Sequence, residues 1–92
     1  MRKKIYIVHE VIIDDYETTA NNFYPYVFKG NALNQLKSIK EQDLMPIVND
    51  YGYEISIDDE TYFEAGREGE YSRRSVCVQI IETEILDYHV TN

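Results

Sequence analysis

Apolar and polar positions follow the short period of β-strands along most of this chain, and one central segment departs from it. Residues 4–13 (KIYIVHEVII) are rich in β-branched side chains and form a short apolar run, which predicts a strand. Residues 75–86 (SVCVQIIETEIL) predict the last strand. Both segments are largely apolar on both faces, which is typical of central strands covered on two sides.

Two further strands are predicted between these segments. Residues 23–29 (FYPYVFK) favour a strand, but Pro25 removes one ladder donor, so this strand lies at an edge or is bent. Residues 14–22 collect turn-forming side chains and predict a loop before it. Residues 53–57 alternate apolar and polar side chains, the period of a half-exposed strand.

The acidic segment that follows allows two interpretations. Residues 58–60 either turn or lead into a second extended piece over residues 61–65. Residues 66–74 hold two glycines among polar side chains and predict a long hairpin loop. Residues 87–92 predict a frayed tail.

One amphipathic helix of about three turns is predicted in the middle of the chain. Asn31 is the expected N-cap of a helix that begins at Ala32. Pro46 predicts a break or kink just before it, because proline lacks an N–H and its ring clashes with the preceding turn. Asp43 is a candidate cap for a second short turn, and Gly52 predicts the helix stop. The stripe consists of Leu33, Leu36, Lys37, Lys40 and Leu44, with Ile39 close by.

The predicted fold is α+β, a single domain over residues 1–92. An antiparallel sheet of about four strands, in chain order β-β-α-β-β, carries one helix on one face. One such helix covers only one face of the sheet. The other face then requires either long loops or a second subunit, so we expect a homodimer.

The charge of the chain is strongly uneven. The net charge is −8, but residues 1–46 are balanced, whereas residues 47–92 hold eleven acidic side chains and only three arginines. Such a field repels phosphate groups and disfavours direct binding to nucleic acid or to an anionic membrane. It attracts a protein partner with a basic surface.

Compartment and targeting signals are sparse. Residues 1–4 resemble the start of a signal peptide, but His9 and Glu10 interrupt the apolar run behind them. No stretch reaches the roughly 20 apolar residues that span a bilayer. The single Cys77 rules out an internal disulfide and favours a cytoplasmic location.

The candidates for catalysis are few. Cys77 would become a nucleophile if His9 stood beside it on a neighbouring strand and lowered its pKa. The competing interpretation is a packed core thiol and a hydrogen-bonded histidine on the sheet. No phosphate loop, serine elbow, paired metal histidines or dinucleotide motif is present. We therefore assign no catalytic residue, metal site or cofactor.

The densest acidic cluster is interleaved with tyrosines. Tyrosine provides a large contact area at low entropic cost, and carboxylates speed the encounter with a cationic partner. Carboxylates also bind Ca²⁺ or Mg²⁺, although the spacing here is not that of an EF-hand, and a solvated acidic rim is the simpler interpretation. The predicted partner-binding residues are Tyr53, Asp58, Asp59, Glu60, Tyr62, Glu64, Glu68, Glu70 and Tyr71.

Three segments, KIYIVHEVIIDDYE, YGYEISIDDETYFEAGREGEYS and SVCVQIIETEI, resemble a group of uncharacterised small acidic proteins of gut Firmicutes and their phages or mobile elements. The resemblance assigns no activity to particular residues. It implies a host-takeover or anti-defence role, in which small acidic proteins often mimic DNA.

The leading hypothesis is thus a non-enzymatic interaction module whose acidic, tyrosine-bearing half binds a basic protein surface. A DNA mimic that blocks a nucleic-acid enzyme is the first alternative. A small thiol enzyme using Cys77 and His9 is the second.

Overall fold

The computed structural model describes residues 2–15, 17–68 and 73–86. Its chain order is two strands, a helical segment and three strands. The predicted tail and two of the predicted partner-binding residues, Glu70 and Tyr71, lie outside the described residues. The strands are β1 (Arg2–Asp14), β2 (Glu17–Tyr26), β3 (Glu54–Asp58), β4 (Tyr62–Glu68) and β5 (Arg73–Leu86), and the α-helices are α1 (Lys29–Ser38) and α2 (Met45–Tyr51).

The strands form one antiparallel sheet in the order β2-β1-β5-β4-β3. The α+β class and the antiparallel sheet are confirmed, and the two apolar strands at the ends of the chain are neighbours inside the sheet. Their ladder runs from Arg2 opposite Leu86 to Ile13 opposite Ser75. The sheet has five strands, not four, because residues 59–61 turn and residues 62–68 form a strand of their own.

Strand β2 begins much earlier than its sequence indicates. Residues 17–22, predicted as loop, pair with β1, whose long outer edge offers partners for their backbone groups. Asp15 occupies the left-handed region with φ 52°, a conformation that aspartate tolerates in tight turns. The register shifts between Ile12 and Ile13, where the Thr19 hydroxyl donates to the Ile12 carbonyl at 3.2 Å. The edge position predicted from Pro25 is confirmed.

The predicted long loop over residues 66–74 is also shorter than expected. Strand β4 continues to Glu68 and β5 starts at Arg73, so most of that segment is paired. Gly66 makes this pairing possible, because a Cβ at this position would lie 2.8 Å from the carbonyl oxygen of Arg74.

Helix α1 starts one turn before the predicted cap. The backbone N–H of Ala32 already donates to the Phe28 carbonyl at 3.3 Å, so Asn31 lies inside the first turn. No side chain caps the helix, whose N-cap residue is Phe28. At the other end Gly52 adopts φ 65°, as predicted for a helix stop.

The regular α-helix is interrupted just before Pro46, as predicted, but the helical segment continues through this residue. A π-helical stretch, Ile39–Leu44, joins α1 to α2, and Pro46 lies in the first turn of α2, where its missing N–H matters least. The Met45 N–H donates to the Lys40 carbonyl, five residues back. The wider turn accommodates the proline. Asp43 lies within this turn and does not cap a helix.

The core lies between the helical segment and one face of the sheet. We call the side of the sheet that meets the helical segment the helix face. Five buried strand residues lie on it: Val8, Val76, Val78, Phe63 and Ala65. The helical segment contributes Ala32, Leu36, Ile39, Leu44 and Val48.

The opposite side of the sheet is called the open face here. It carries the odd-numbered residues of β1 and β5 and the even-numbered residues of β4. The loops that link elements within the described residues are short, so the predicted covering by long loops is not found there.

Candidate interaction surfaces

The acidic edge, defined here as Glu54, Asp58, Asp59 and Glu60, runs along β3 and into the turn that follows it. Among the described strands, β3 is the outermost of the sheet and pairs with β4 alone. All of its residues are exposed. An edge strand presents backbone N–H and C=O groups that no neighbouring strand satisfies. Within the described part of the chain, the acidic edge therefore combines carboxylates with backbone groups that no strand pairs.

Two sets of contacts fix the turn at the end of β3. The Asp59 N–H donates to the Tyr62 carbonyl at 2.8 Å, and the Asp59 carboxylate accepts from the Glu60 N–H at 2.7 Å. Asp58 forms a salt bridge with Lys40 of the helical segment at 2.5 Å. The Lys40 ammonium also lies 5.4 Å from the centre of the Phe63 ring. The turn is thereby attached to the helix and to the core.

A groove of about 590 Å³ separates this turn from the helical segment. Leu33 and Leu36 supply apolar surface, and Lys37 and Lys40 stand opposite the acidic turn. Lys40 is already paired with Asp58, which leaves the acids of the turn in excess. This groove was not predictable from local sequence patterns, because segments far apart in the chain form it.

The structure brings together only some of the predicted partner-binding residues. Asp58, Asp59 and Glu60 share the turn described above. Tyr62 and Glu64 lie on the open face of β4 beside Cys77. The remaining described residues are at the other end of the hairpin, where Tyr53 precedes β3 and Glu68 ends β4.

Tyr53 belongs to a cluster that the sequence did not reveal. Its ring centre lies 6.1 Å from that of Tyr51, and burial raises its pKa, with an opposing effect from Arg74. Arg74 in turn contacts Asp14 at 2.9 Å and Asp15 at 3.6 Å, and its pKa is raised by these two carboxylates. Three separate segments meet here, so the cluster closes one end of the sheet.

Cys77 and His9 share the open face, on neighbouring strands. The His9 ring, however, faces β2: it hydrogen-bonds the Asn21 side chain at 2.6 Å and stacks on Phe23 with centroids 4.2 Å apart. Burial raises the pKa of the Cys77 thiol, and the nearby Glu64 raises it further, against a hydrogen bond with Tyr62. A thiol held protonated is a poor nucleophile, so the geometry gives no support to the thiol enzyme.

His9 therefore fits the competing interpretation, a hydrogen-bonded histidine on the sheet. Cys77 differs from the expected core thiol. It is half-buried on the open face and does not belong to the core beneath the helix.

Other kinds of site receive no support from the described part of the chain. No group of three or more histidine, cysteine, aspartate or glutamate side chains there is arranged to hold a metal ion. None of the helices described is long and apolar enough to cross a membrane. Comparison with protein families, curated proteins and solved structures finds no match to this chain.

Proposed function

We propose that this protein is a non-enzymatic interaction module whose acidic edge binds a basic, extended segment of another protein. The observation that carries the proposal is the position of β3, an exposed outermost strand with carboxylates at both of its ends. A partner segment can add to such an edge as a further strand. Its backbone supplies affinity, and its lysine or arginine side chains meet the acids.

The charge distribution of the chain also supports a basic partner. The second half of the chain holds the whole excess of negative charge, and the acidic edge lies within it. Long-range attraction raises the encounter rate with a basic partner and weakens as salt is added. The contacts that hold the turn of the acidic edge keep its carboxylates in place before a partner arrives, which lowers the entropic cost of binding.

The proposal is tested with a fluorescent peptide in which lysine alternates with valine. We expect the full chain to bind this peptide, as measured by fluorescence anisotropy, with an affinity that falls as NaCl rises. The doubly neutralised variant Asp59→Asn/Glu60→Gln should bind at least about tenfold more weakly, because each lost charge removes attraction at the edge.

Two controls separate strand addition from charge alone. The variant Glu17→Gln/Asp43→Asn changes the net charge equally, but at the opposite edge of the sheet and on the helical segment, and should bind like the wild type. A peptide with alternate backbone nitrogens methylated keeps its lysines but cannot donate to an edge strand, and should lose binding. Equal binding by both charge variants would contradict the proposal.

DNA mimicry is the alternative proposal, and the charge imbalance favours it. It predicts binding to a nuclease at low ionic strength and competition with DNA for that nuclease. If a nuclease panel gave salt-sensitive competition and the basic peptide gave no binding, DNA mimicry would replace strand addition.

A further inference from the structure

The open face holds a stretch without charged side chains on β2, β1 and β5, although 28% of the residues in the chain are charged, and Lys3 and Glu64 border this stretch. Between positions 5 and 13, the open-face residues of β1 are isoleucines, a valine and His9. Between positions 75 and 85, the open-face residues of β5 include no acidic or basic side chain. Strand β2 adds Phe23 and Pro25 beside them. We call this surface the apolar patch.

Three large side chains of the apolar patch are exposed to solvent, whereas those on β1 are partly buried. Phe23 is 56% exposed, Ile81 38% and Ile85 43%. The helical segment packs only on the helix face, so it leaves this side uncovered. Large contiguous apolar surfaces of this kind mark interaction sites on proteins.

The size of the open face matches what a stable dimer requires. At about 3.3 Å per residue and about 4.8 Å per strand, the five strands together span about 800 Å². A standard protein interface buries about 800 Å² on each partner. Face-to-face packing of two sheets at about 10 Å over the whole open face, with the apolar patch as its core and charged side chains such as Glu64 at its margin, would therefore bury an area of the standard size on each copy.

The lack of charge on the apolar patch indicates what kind of surface binds it. A basic partner is drawn to the acidic edge, whereas the apolar patch offers no opposite charge. It complements an uncharged β-surface of similar size, and a second copy of the chain presents that surface. A two-fold axis lets both copies use the same residues. We propose that two copies of this protein pack through their open faces, with the apolar patch at the centre of the interface.

This proposal is independent of the acidic edge, and the two respond oppositely to salt. Each copy carries a charge of −8, so the copies repel one another at long range. Added salt screens that repulsion and should strengthen the dimer, whereas it weakens binding of a basic peptide. Failure of one proposal is thus distinguishable from failure of the other.

Sedimentation equilibrium of the full chain provides the test. We expect the wild type to dimerise. Its dissociation constant should decrease as the NaCl concentration rises. Ile81→Lys places one charge from each copy in the interface and should raise the dissociation constant at least tenfold. Ile55→Lys is the matched control: Ile55 is 46% exposed but lies on the helix face of β3, so it should leave the dimer intact.

A second measurement uses the only cysteine of the chain. Cys77 lies on the open face, so its labelling by a maleimide should slow as protein concentration rises and the face becomes covered. The rate in Ile81→Lys should not depend on concentration. If Ile81→Lys does not fold, Ile85→Lys takes its place. A wild type that stays monomeric at millimolar concentration, or a dimer that Ile55→Lys weakens as much as Ile81→Lys does, would overturn the proposal.

Discussion

Glu10 is the one charged side chain that is buried among the residues the structure describes, with 5% of its surface exposed. It points to the helix face between Val8 and Ile12, where apolar side chains surround it. Its carboxylate accepts a hydrogen bond from the Asn22 side chain at 3.1 Å. A buried carboxylate is costly unless a donor compensates it, so Asn22 stabilises the fold through Glu10.

Removing Asn22 should therefore destabilise the protein more than removing Glu10 does. We expect Asn22→Ala to lower the free energy of unfolding by about 1–3 kcal/mol, because the buried acceptor loses its donor. In a Glu10→Met background the same change should cost almost nothing. Urea denaturation of the four proteins in this cycle measures the coupling.

The neighbouring asparagine provides the control for that cycle. Asn21 lies on the open face and pairs with His9, so Asn21→Ala should show no coupling to Glu10→Met. Equal effects of Asn22→Ala in both backgrounds would show that the hydrogen bond does not compensate the buried charge.

The sequence predicted some of these residue environments and missed others. A histidine within an apolar strand indicated a hydrogen-bonded side chain, and the contacts of His9 agree. The burial of Glu10 was not predictable, because it depends on which face of β1 the helical segment covers. Alternation along a strand defines two faces, but it does not say which of two apolar faces meets the helix.

At the scale of elements, the spacing of buried side chains explains the π-helical stretch. Ile39 and Leu44 are both buried, yet they are five residues apart. In a regular α-helix they would point about 140° away from each other. The wider turn of residues 39–44 brings both onto the sheet and accommodates Pro46.

Shortening the wide turn by one residue should leave a regular helix that still fits the sheet. In a Pro46→Ala background, deletion of the exposed Gln42 places the buried side chains three or four residues apart throughout. We expect its free energy of unfolding to stay within about 1 kcal/mol of that background, with undiminished helical circular dichroism.

The opposite change is the control for the deletion. An alanine inserted after Gln42 should rotate Leu44 and Val48 by about 100° away from the core and cost at least about 3 kcal/mol. An unfolded deletion variant beside a stable insertion variant would disprove this account of the turn.

The strands were predicted more successfully than the helix, for a physical reason. Apolar β-branched runs define β1 and β5 locally, and Pro25 confines β2 to an edge. The first half of β2 has no such signal, since Glu17–Asn22 is polar and becomes a strand only because β1 extends beside it. The π-helical stretch depends likewise on the fit to the sheet, which local propensity does not contain.

For the whole molecule, the uneven covering of the two faces connects fold to function. The two apolar strands were predicted to be covered on both sides, and they are central, but the helical segment covers one side only. The sequence indicated that an open face would exist. It could not locate the acidic edge, because the position of β3 at the margin depends on the pairing order of the other four strands.

Stability of the whole molecule should fall in alkaline solution, beginning with the thiol on the open face. The pKa values of Cys77, Tyr53 and Tyr62 are raised, by burial for Cys77 and Tyr53 and chiefly by the neighbouring Cys77 for Tyr62. A raised pKa means that the folded state keeps a proton which the unfolded chain has already lost. The stability that these groups contribute is thus fully present below their pKa in the unfolded chain, about 8.5 for cysteine and about 10 for tyrosine, and it falls as the pH rises above those values.

Chemical denaturation at a series of pH values should show that decline, and Cys77→Ser should delay its onset towards pH 10. An equally early decline in Cys77→Ser would show that the half-buried thiol is not its cause.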